Sequence, residues 1–292
     1  MARFVSLLFA GLAVSAIYGL TAVGFLLLYK ATGLINFAQG ALISLGAYLA
    51  VWAHLDLDLP LLVAYGTAVV IAFVLGCVME VVAYRPLERR SIHVVVIATL
   101  GLAVIIESLL AIWQGSTPRK LDSPVEGDTV TIFGAAISAQ RLLIIVVSGV
   151  ALAGLALLFQ RTNLGRRLRA IATDRDAAKT TGINVRRLTI LTFGLSAAIA
   201  AVTGILLAPL TAVTIDLGFP AMLGAFGAAI IGGFGSIRGT LYGALILGLS
   251  EHLVGGYVLV SYRSMFPYVL LILVIAIRPK GLFGDRLEQA RF

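Results

Sequence analysis

The residues from Arg161 to Arg187 hold most of the charge that this sequence could use for chemistry. The segment reads RTNLGRRLRAIATDRDAAKTTGINVRR and lies between two long apolar runs. It carries eight Lys or Arg residues and two Asp, so its net charge is +6 of the +8 for the whole chain. Such a segment can form a surface presented to a partner. The alternative is an ordinary cytoplasmic loop whose charges only orient the chain in a membrane.

Within this segment the order of residues predicts a short, capped helix. Thr173 is the predicted N-cap, with Asp176 three residues later at the spacing of a capping box. Asp174 and Asp176 suit the positive end of the helix dipole, and Lys179 in the last turn suits the negative end. Gly182 stands where a left-handed glycine commonly ends a helix. The sequence therefore predicts a surface helix beside a basic face.

Ala177 and Ala178 lie in the middle of that predicted helix. Both are strong helix formers with small side chains. We expect them to form a face that a partner surface can approach closely.

A second set of polar side chains lies in the first third of the chain. Residues 33–40 read GLINFAQG, with two amides inside an apolar run. Asn36 and Gln39 are three residues apart, a spacing that puts them on one face of a helix, and Ser44 adds a hydroxyl to that face. Buried amides need hydrogen-bond partners. Asn36, Gln39 and Ser44 are therefore candidates for lining a translocation path, and hydrogen bonds to neighbouring helices explain them equally well.

The motifs of common enzyme classes are absent from the sequence. It contains no HExxH, GxSxG or CxxC motif, and its single cysteine, Cys77, lies in an apolar run. No GxxxxGK[ST] loop is present to hold ATP phosphates. We therefore expect no catalytic residue, no metal and no cofactor, and uphill work needs a partner or an ion gradient. Glu107 and Glu251 are the carboxylates that an ion-coupled carrier would use.

Composition and patterning place the chain in a membrane. It is 60% apolar and 12% charged, against roughly 25% charged residues in average soluble domains. The charges are clustered, and a run of about 20 apolar residues spans a bilayer core. We predict an all-α polytopic membrane protein with about eight or nine crossings, some of them broken or half-helices. The uncharged runs are Phe4–Tyr29, Ala31–Ala53, Leu59–Met79, Ser91–Ile106 (extendable to Trp113), Leu142–Gln160, Leu188–Ile215, Leu217–Ile237, Gly239–Ser250 and Ser264–Ile277.

The distribution of Lys and Arg predicts which loops face the cytoplasm. Asp56 and Asp58 mark an outer loop, and residues 118–140 form the longest outer candidate. The alternation of the runs then places the C-terminus inside and leaves the side of the N-terminus open. The basic residues are not interleaved with aromatic ones, so nucleic acid is not an expected partner. The inside markers are Arg85, Arg89, Arg90, residues 161–187, Arg278 and Lys280.

A second glycine-rich stretch, residues 232–239, reads GGFGSIRG. Four glycines in eight residues predict a break in the helix. Together with residues 33–40 it resembles a weak internal duplication, and interrupted helices in repeats are common in transporters. Small residues spaced by four, such as Gly11 and Ser15, predict close helix packing or contact with another subunit.

Several long motifs in series resemble one family. The segments ATGLINFAQGALISLGAYLA, EVVAYRPLERRS, GRRLRAIATDRDAAKTTGINV, LTFGLSAAIAAVTGILLAPL, IIGGFGSIRGTLYGALILGLSE and LILVIAIRPKGLFG are similar to those of the LivH-type membrane permease subunits of branched-chain amino-acid ABC importers. The resemblance runs from about Tyr18 to Gly284 in the same order. Glu107, where a neutral polar residue is expected, and Arg238, where proline is usual, depart from the pattern.

The resemblance implies a single transmembrane permease domain over residues 1–292, without its own ATPase motif, in a bacterial or archaeal cytoplasmic membrane. The implied partners are a second homologous permease, two cytoplasmic ABC ATPases, an external solute-binding protein and membrane lipid. The implied cargo is a branched-chain, neutral aliphatic amino acid. Permeases for urea, short amides and other amino acids are similar, and an ion-coupled carrier is the alternative of another class.

The resemblance also gives residues 161–187 a role, that of a cytoplasmic segment that docks in the ATPase. It implies ATPase-coupling residues at Gly165, Arg169, Thr173, Asp174, Asp176, Ala177, Ala178 and Gly182. Arg166, Arg167 and Arg169 would then contact lipid headgroups or acidic ATPase surface.

Overall fold

The computed structural model describes residues 1–88, 90–125, 127–257, 265–278 and 281–282, with the backbone but not the side chain of Asp176. Its contacts divide the chain into two compact units. The first unit comprises Met1–Leu26, Val125–Ala151 and Ala221–Phe292, and the second comprises Leu27–Pro124 and Leu152–Pro220.

The described residues are mostly helical. The helices are α1 (Ala2–Thr32), α2 (Gln39–Val51), α3 (Leu61–Met79), α4 (Ile92–Gln114), α5 (Ala139–Arg161), α6 (Asn163–Thr173), α7 (Arg175–Thr180), α8 (Val185–Leu207), α9 (Gly218–Gly232), α10 (Ile237–Tyr257) and α11 (Phe266–Ile277). Wide π-helical turns extend α2 over Trp52–Asp56 and α3 over Glu80–Tyr84, and a 3-10 turn follows at Arg85–Leu87. An antiparallel hairpin of β1 (Thr129–Ile132) and β2 (Ala135–Ser138), which the sequence analysis did not predict, precedes α5.

Several of these helices have the length and composition of membrane spans. Within the described ranges, α1, α4, α5, α8 and α3 with its continuation to Leu87 are each long and apolar enough to cross a bilayer. The pair α9 and α10 qualifies together but is bent by 118°, as a broken span or a re-entrant loop would be. With the shorter α2 and α11 included, the crossings approximate the predicted number. The prediction of an all-α polytopic membrane protein is confirmed.

The helix break predicted at residues 232–239 is present, and residues 33–40, where the sequence departs from a uniform helix, contain another. Residues 33–38 separate α1 from α2 without regular helix, and Gly33 has a φ of +76°. Residues 233–236 separate α9 from α10, with φ of +97° at Gly233 and +108° at Gly235. These values favour glycine because a Cβ atom clashes in this region of backbone space. The break at 232–239 is also close-packed, since a Cβ on Gly232 would lie 2.1 Å from the carbonyl oxygen of Gly239.

The core of the second unit forms where α2 packs against α8. A Cβ added to Gly46 would lie 2.2 Å from Cα of Ala201, and one added to Gly204 would lie 2.1 Å from the carbonyl oxygen of Ile43. The two backbones are therefore nearly in contact, the arrangement that small residues permit in membrane helices. Tyr48 lies fully buried in the apolar cluster beside this contact.

In the first unit, the early part of α1 packs on α10 in the same way. A Cβ on Gly248 would meet Oγ of Ser15 at 2.4 Å, and one on Gly11 would meet the carbonyl oxygen of Gly248 at 3.1 Å. The hydroxyl of Tyr18 donates a 2.9 Å hydrogen bond to Oε2 of Glu251. The predicted close packing at Gly11 and Ser15 is confirmed.

Candidate functional site

Residues 161–187 fold as α6 and α7 on the start of α8, all within the second unit. In α6, Gly165, Leu168 and Ile171 face inward at helical spacing, while Arg166 and Arg167 are exposed. The hydroxyl of Thr162 caps α6 by accepting a 3.1 Å hydrogen bond from the backbone N–H of Gly165. The segment is therefore a structured, amphipathic surface element with a basic outer face.

Gly165 is required where α6 turns back along the end of α5. A Cβ there would lie 2.2 Å from the carbonyl oxygen of Phe159. The guanidinium of Arg169 donates a hydrogen bond to that same carbonyl. Arg169 thus satisfies a C-terminal carbonyl of α5, and its side chain is also exposed.

The N-cap of α7 is Asp174, and the prediction of Thr173 was wrong. Oδ1 of Asp174 accepts a 3.0 Å hydrogen bond from the backbone N–H of Ala177, three residues on. Thr173 ends α6 instead, and its hydroxyl donates a 3.0 Å hydrogen bond to the carbonyl oxygen of Arg169. Because a second helix precedes α7, the cap moves by one residue. The predicted first-turn role of Asp176 concerns a side chain outside the described residues.

The C-terminal end of α7 follows the sequence prediction. Gly182 has a φ of +80°, in the left-handed region. Its N–H donates a 3.1 Å hydrogen bond to the carbonyl of Lys179, and the N–H of Ile183 donates one of 3.1 Å to the carbonyl of Ala178. This is the Schellman pattern of a terminating helix. Ile183 packs against the cluster that contains Ala178, as the motif commonly requires.

Ala177 and Ala178 do not share a face. Ala177 is exposed, whereas Ala178 is buried against Leu168, Val185 and their neighbours. Consecutive residues point about 100° apart around a helix, so one can face inward while the other faces outward. The expectation of a joint close-approach face is therefore wrong, and only Ala177 is available to a partner.

An ion pair joins α7 to a distant part of the second unit. The guanidinium of Arg175 contacts Oε1 of Glu88, in the connection between α3 and α4. Both side chains are partly exposed. No feature of the sequence singled out Glu88, because the pair is formed between residues 87 positions apart. The same segment carries seven exposed basic side chains, namely Arg161, Arg166, Arg167, Arg169, Lys179, Arg186 and Arg187.

Of the three residues predicted to line a translocation path, Gln39 and Ser44 form hydrogen bonds between helices, and Asn36 does not. Gln39 is fully buried at the start of α2, where Oγ of Ser196 donates to its Oε1 at 3.0 Å and its Nε2 donates to the carbonyl of Ser196 at 3.3 Å. Oγ of Ser44 accepts a 3.0 Å hydrogen bond from the backbone N–H of Gly218. Gln39 and Ser44 therefore hold α2 to α8 and to the start of α9.

Asn36 differs from the other two. It lies in the break before α2, so it does not share a helical face with Gln39 as predicted. Its Oδ1 accepts a 3.1 Å hydrogen bond from the N–H of Ala38, which closes a local turn. Its Nδ2 is buried and has no hydrogen-bond partner within the described ranges. Asn36 is thus the predicted path residue that keeps a donor available.

Beyond the C-terminal end of α8, three connections of the second unit meet. Nη1 of Arg119 lies 3.2 Å from Oδ2 of Asp56, and the backbone of Arg119 pairs with that of Val213. The predicted outer-loop residue Asp56 and the start of residues 118–140 are therefore at the same end. Across the described part of the chain, no group of three or more His, Cys, Asp or Glu side chains could hold a metal ion.

Comparison with known proteins gives one consistent result. Residues 7–275 match the family model described as the permease component of the branched-chain amino acid transport system. The chain is 35% identical over 96% of its length, and 96% of the relative's, to the high-affinity branched-chain amino acid transport system permease protein LivH of Escherichia coli. It is 33% identical to the corresponding permease BraD of Pseudomonas aeruginosa, over 94% of each chain. A probable LivH permease of Methanocaldococcus jannaschii is 29% identical over 91% of this chain and 88% of its own.

Proposed function

This chain belongs to the family of branched-chain amino acid transport system permease components and forms the membrane permease of an ABC importer for these amino acids, and we propose that ATPase partners drive it through residues 161–187. The observation that carries this proposal is the construction of α7. The helix is capped at both ends by its own residues, presents Ala177 outward and belongs to a segment with seven exposed Arg and Lys side chains. A short rigid helix of this kind can transmit a push from a docked protein.

The packing of residues 161–187 supports an element that transmits motion as a unit, rather than a loose loop. Leu168, Ile171 and Ala178 bury one side of α6 and α7 against Val185 and Leu188 of α8. A displacement of α7 therefore acts directly on the first turns of α8. Since α8 packs closely on α2, movement at the ATPase surface would reach the part of the second unit that holds Asn36 and Gln39.

For the remaining assembly we extend the proposal to the other subunits. We propose two ATPases at the inner face, a second homologous permease beside this chain and an external solute-binding protein that selects the amino acid. In the most apolar 18-residue stretch of α4, and in that of α5, only 17% of the residues are buried within the chain. The corresponding share for α1 is 83%. Such apolar, uncovered helices suit contact with lipid or with the second permease. The residues 1–292 would act as one permease domain.

The sidedness of this assembly places residues 161–187 in the cytoplasm and Asp56, Arg119 and Val213 outside, in a bacterial or archaeal cytoplasmic membrane. The excess of Lys and Arg in the inner segment supports this orientation. We propose Asn36, in the break between α1 and α2, as the path residue with a donor for the substrate. Gln39 and Ser44 would hold the break in place.

Reconstitution tests the proposed function. Proteoliposomes holding the permease pair and the ATPases should take up labelled leucine only when ATP and the solute-binding protein are both supplied. Ala177→Arg should abolish uptake, because it places a charge and a long side chain on the docking face of α7. The matched control is Ala136→Arg, since Ala136 is an exposed alanine in β2, outside residues 161–187. Full uptake by Ala177→Arg would contradict the coupling role.

The same preparation distinguishes an ATP-dependent importer from the alternative function, an ion-coupled carrier. That alternative requires the chain alone to accumulate leucine under a proton gradient, and to stop when Glu107 or Glu251 is neutralised. An ATP-dependent importer gives no uptake from the isolated chain. Uptake of urea or a short amide in place of leucine, with their own binding protein, would keep the class and change the cargo.

A further inference from the structure

A partly open apolar crevice lies in the second unit, where the end of α3 and its continuation meet α4 and α8. Its floor is formed by the buried side chains of Tyr84, Thr99 and Phe193. The rings of Tyr84 and Phe193 pack with their centroids 4.8 Å apart. The rim is half-buried and includes Leu87, from the turn after α3, and Ala98 of α4. The crevice has a volume of about 20 Å³, which is room for one methyl-sized group.

Hydrocarbon suits this crevice better than water does. The surface that faces it is almost wholly apolar. The hydroxyl of Thr99 is already engaged, because it donates to the carbonyl oxygen of Val96 at 2.9 Å and accepts from the N–H of Phe37 at 3.3 Å. Apolar cavities of this kind stay dry, and an unfilled void loses the dispersion contacts of its lining.

The crevice lies within reach of a lipid acyl chain. In the most apolar stretches of α3 with its continuation and of α4, only 22% and 17% of the residues are buried within the chain. Val82 and Ile97, on the turns that border the crevice, are both exposed. Thr99 follows Ile92, the first residue of α4, by seven positions, or about 10 Å along the helix. That depth lies within the hydrocarbon of one leaflet, which is about 15 Å thick.

Two arginines stand at the end of the crevice that the proposed function places inside. Arg85 lies in the chain between Tyr84 and Leu87, and the N–H of Arg90 donates a 2.9 Å hydrogen bond to the carbonyl oxygen of Leu87. Among the residues described, neither Arg85 nor Arg90 forms a salt bridge. The carboxylate of the same connection, Glu88, is paired with Arg175. Both guanidinium groups are therefore available to an anion at the level of the lipid headgroups.

The start of α4 adds to this positive end. The helix runs over 23 residues from Ile92, and the side chain of Ser91 before it forms no capping hydrogen bond within the described ranges. The first N–H groups of a helix and its dipole both favour phosphate. The start of α4 and the two arginines thus lie beside the open end of the crevice.

We propose that the crevice binds an acyl chain of an anionic phospholipid, whose phosphate contacts Arg85, Arg90 and the start of α4. Basic pockets between membrane helices at the cytoplasmic side bind anionic headgroups. An apolar crevice below a basic rim matches the two halves of one amphiphile. Because Leu87 precedes Glu88, the lipid holds the connection that pairs with Arg175 of α7. The site depends neither on the cargo nor on ATP.

Photolabelling of the permease–ATPase complex in phosphatidylcholine nanodiscs tests this site. The probes are phosphatidylglycerol and phosphatidylcholine that carry the same diazirine-labelled acyl chain, and mass spectrometry maps the labelled peptides. The anionic probe should label residues 84–102 about tenfold more than the zwitterionic probe, since each basic residue near a membrane surface contributes about a fivefold preference for anionic lipid. Arg85→Gln combined with Arg90→Gln should remove this preference.

A second variant fills the crevice itself. Ala98→Trp places a ring in the space of the acyl chain and should reduce labelling by both probes about fivefold. The matched control is Leu100→Trp, because Leu100 is exposed on α4 and lies about 200° around the helix from Ala98. That control should retain the labelling of the unchanged protein.

Three results would overturn the site. Equal labelling of residues 84–102 by the two probes would exclude recognition of the headgroup, as would an undiminished preference in the double arginine variant. Full labelling of Ala98→Trp would exclude the crevice. If neither probe labels these residues and Ala98→Trp separates the two permeases in size-exclusion chromatography, the crevice is covered by the second permease and not by lipid.

The proposed function has its own readout, which is leucine uptake by proteoliposomes supplied with ATP and the solute-binding protein. Uptake by the wild type without selective labelling would reject the lipid site alone. Selective labelling without uptake of any branched-chain amino acid would reject the proposed function and leave the lipid site in place.

Discussion

Ser196 and Gln39 hold each other by two hydrogen bonds across the contact of α8 with α2. Oγ of Ser196 donates to Oε1 of Gln39 at 3.0 Å, and Nε2 of Gln39 donates to the carbonyl oxygen of Ser196 at 3.3 Å. Both side chains are fully buried. Because Gln39 is the first residue of α2, the pair fixes the point where helix resumes after the break at residues 33–38.

Gln39→Leu should lower the stability of the permease. It removes two buried hydrogen bonds, each contributing about 0.5–1.5 kcal/mol, so the expected loss is about 1–3 kcal/mol. The measurement is the midpoint of thermal unfolding of the purified protein in detergent. Gln160→Leu is the matched control, since Gln160 is exposed at the end of α5. An equal midpoint for both variants would show that the pair does not stabilise the fold.

Gly204→Ala should separate α8 from α2. The added Cβ would lie 2.1 Å from the carbonyl oxygen of Ile43, and backbone cannot move as a side-chain tip can. Overpacking of this kind costs about 1–3 kcal/mol. Gly101→Ala in α4 is the control, because no atom beyond the neighbouring backbone of α4 lies within 4 Å of the position of its Cβ. Thermal unfolding of the two variants should differ, and a Gly204→Ala protein as stable as Gly101→Ala would contradict the close contact.

Asp174→Ala should loosen α7 selectively. Loss of an N-cap side chain costs about 1 kcal/mol, and that energy corresponds to about a fivefold change in a local equilibrium. Hydrogen exchange followed by mass spectrometry should show faster exchange in a peptide covering residues 175–183. Thr173→Ala serves as comparison, because Thr173 only donates to a carbonyl within α6. Faster exchange of α7 in Thr173→Ala than in Asp174→Ala would restore the cap predicted from sequence.

Exchanging the charges of Arg175 and Glu88 should preserve transport better than changing either alone. Arg175→Glu or Glu88→Arg places like charges together between α7 and the α3–α4 connection. A partly exposed pair contributes only about 0.2–1 kcal/mol to stability, so folding should change little. The measurement is ATP-dependent leucine uptake, which we expect to fall in each single variant and to recover in the double variant. A double variant no better than the singles would show that the pair does not position α7.

Local sequence preferences predicted the end of a helix correctly where a single residue determines that end. Gly182 was placed correctly because a left-handed backbone after a helix favours glycine whatever surrounds it. The break near Gly233 followed for the same reason. The N-cap of α7 was misplaced by one residue, since Thr173 and Asp174 are both good caps and only the end of α6 decides between them.

The amino-acid sequence by itself determined the class of this protein and where its helices are interrupted, because apolar run length and glycine content act locally on each segment. The tertiary structure alone decided which polar groups meet. Gln39 is hydrogen-bonded to Ser196, and Ser44 accepts a hydrogen bond from the backbone of Gly218. Ala178 is buried, whereas its neighbour Ala177 is exposed. The reason is physical: a buried hydrogen bond depends on the distance between two elements, and that distance is set by the packing of residues far apart in the chain.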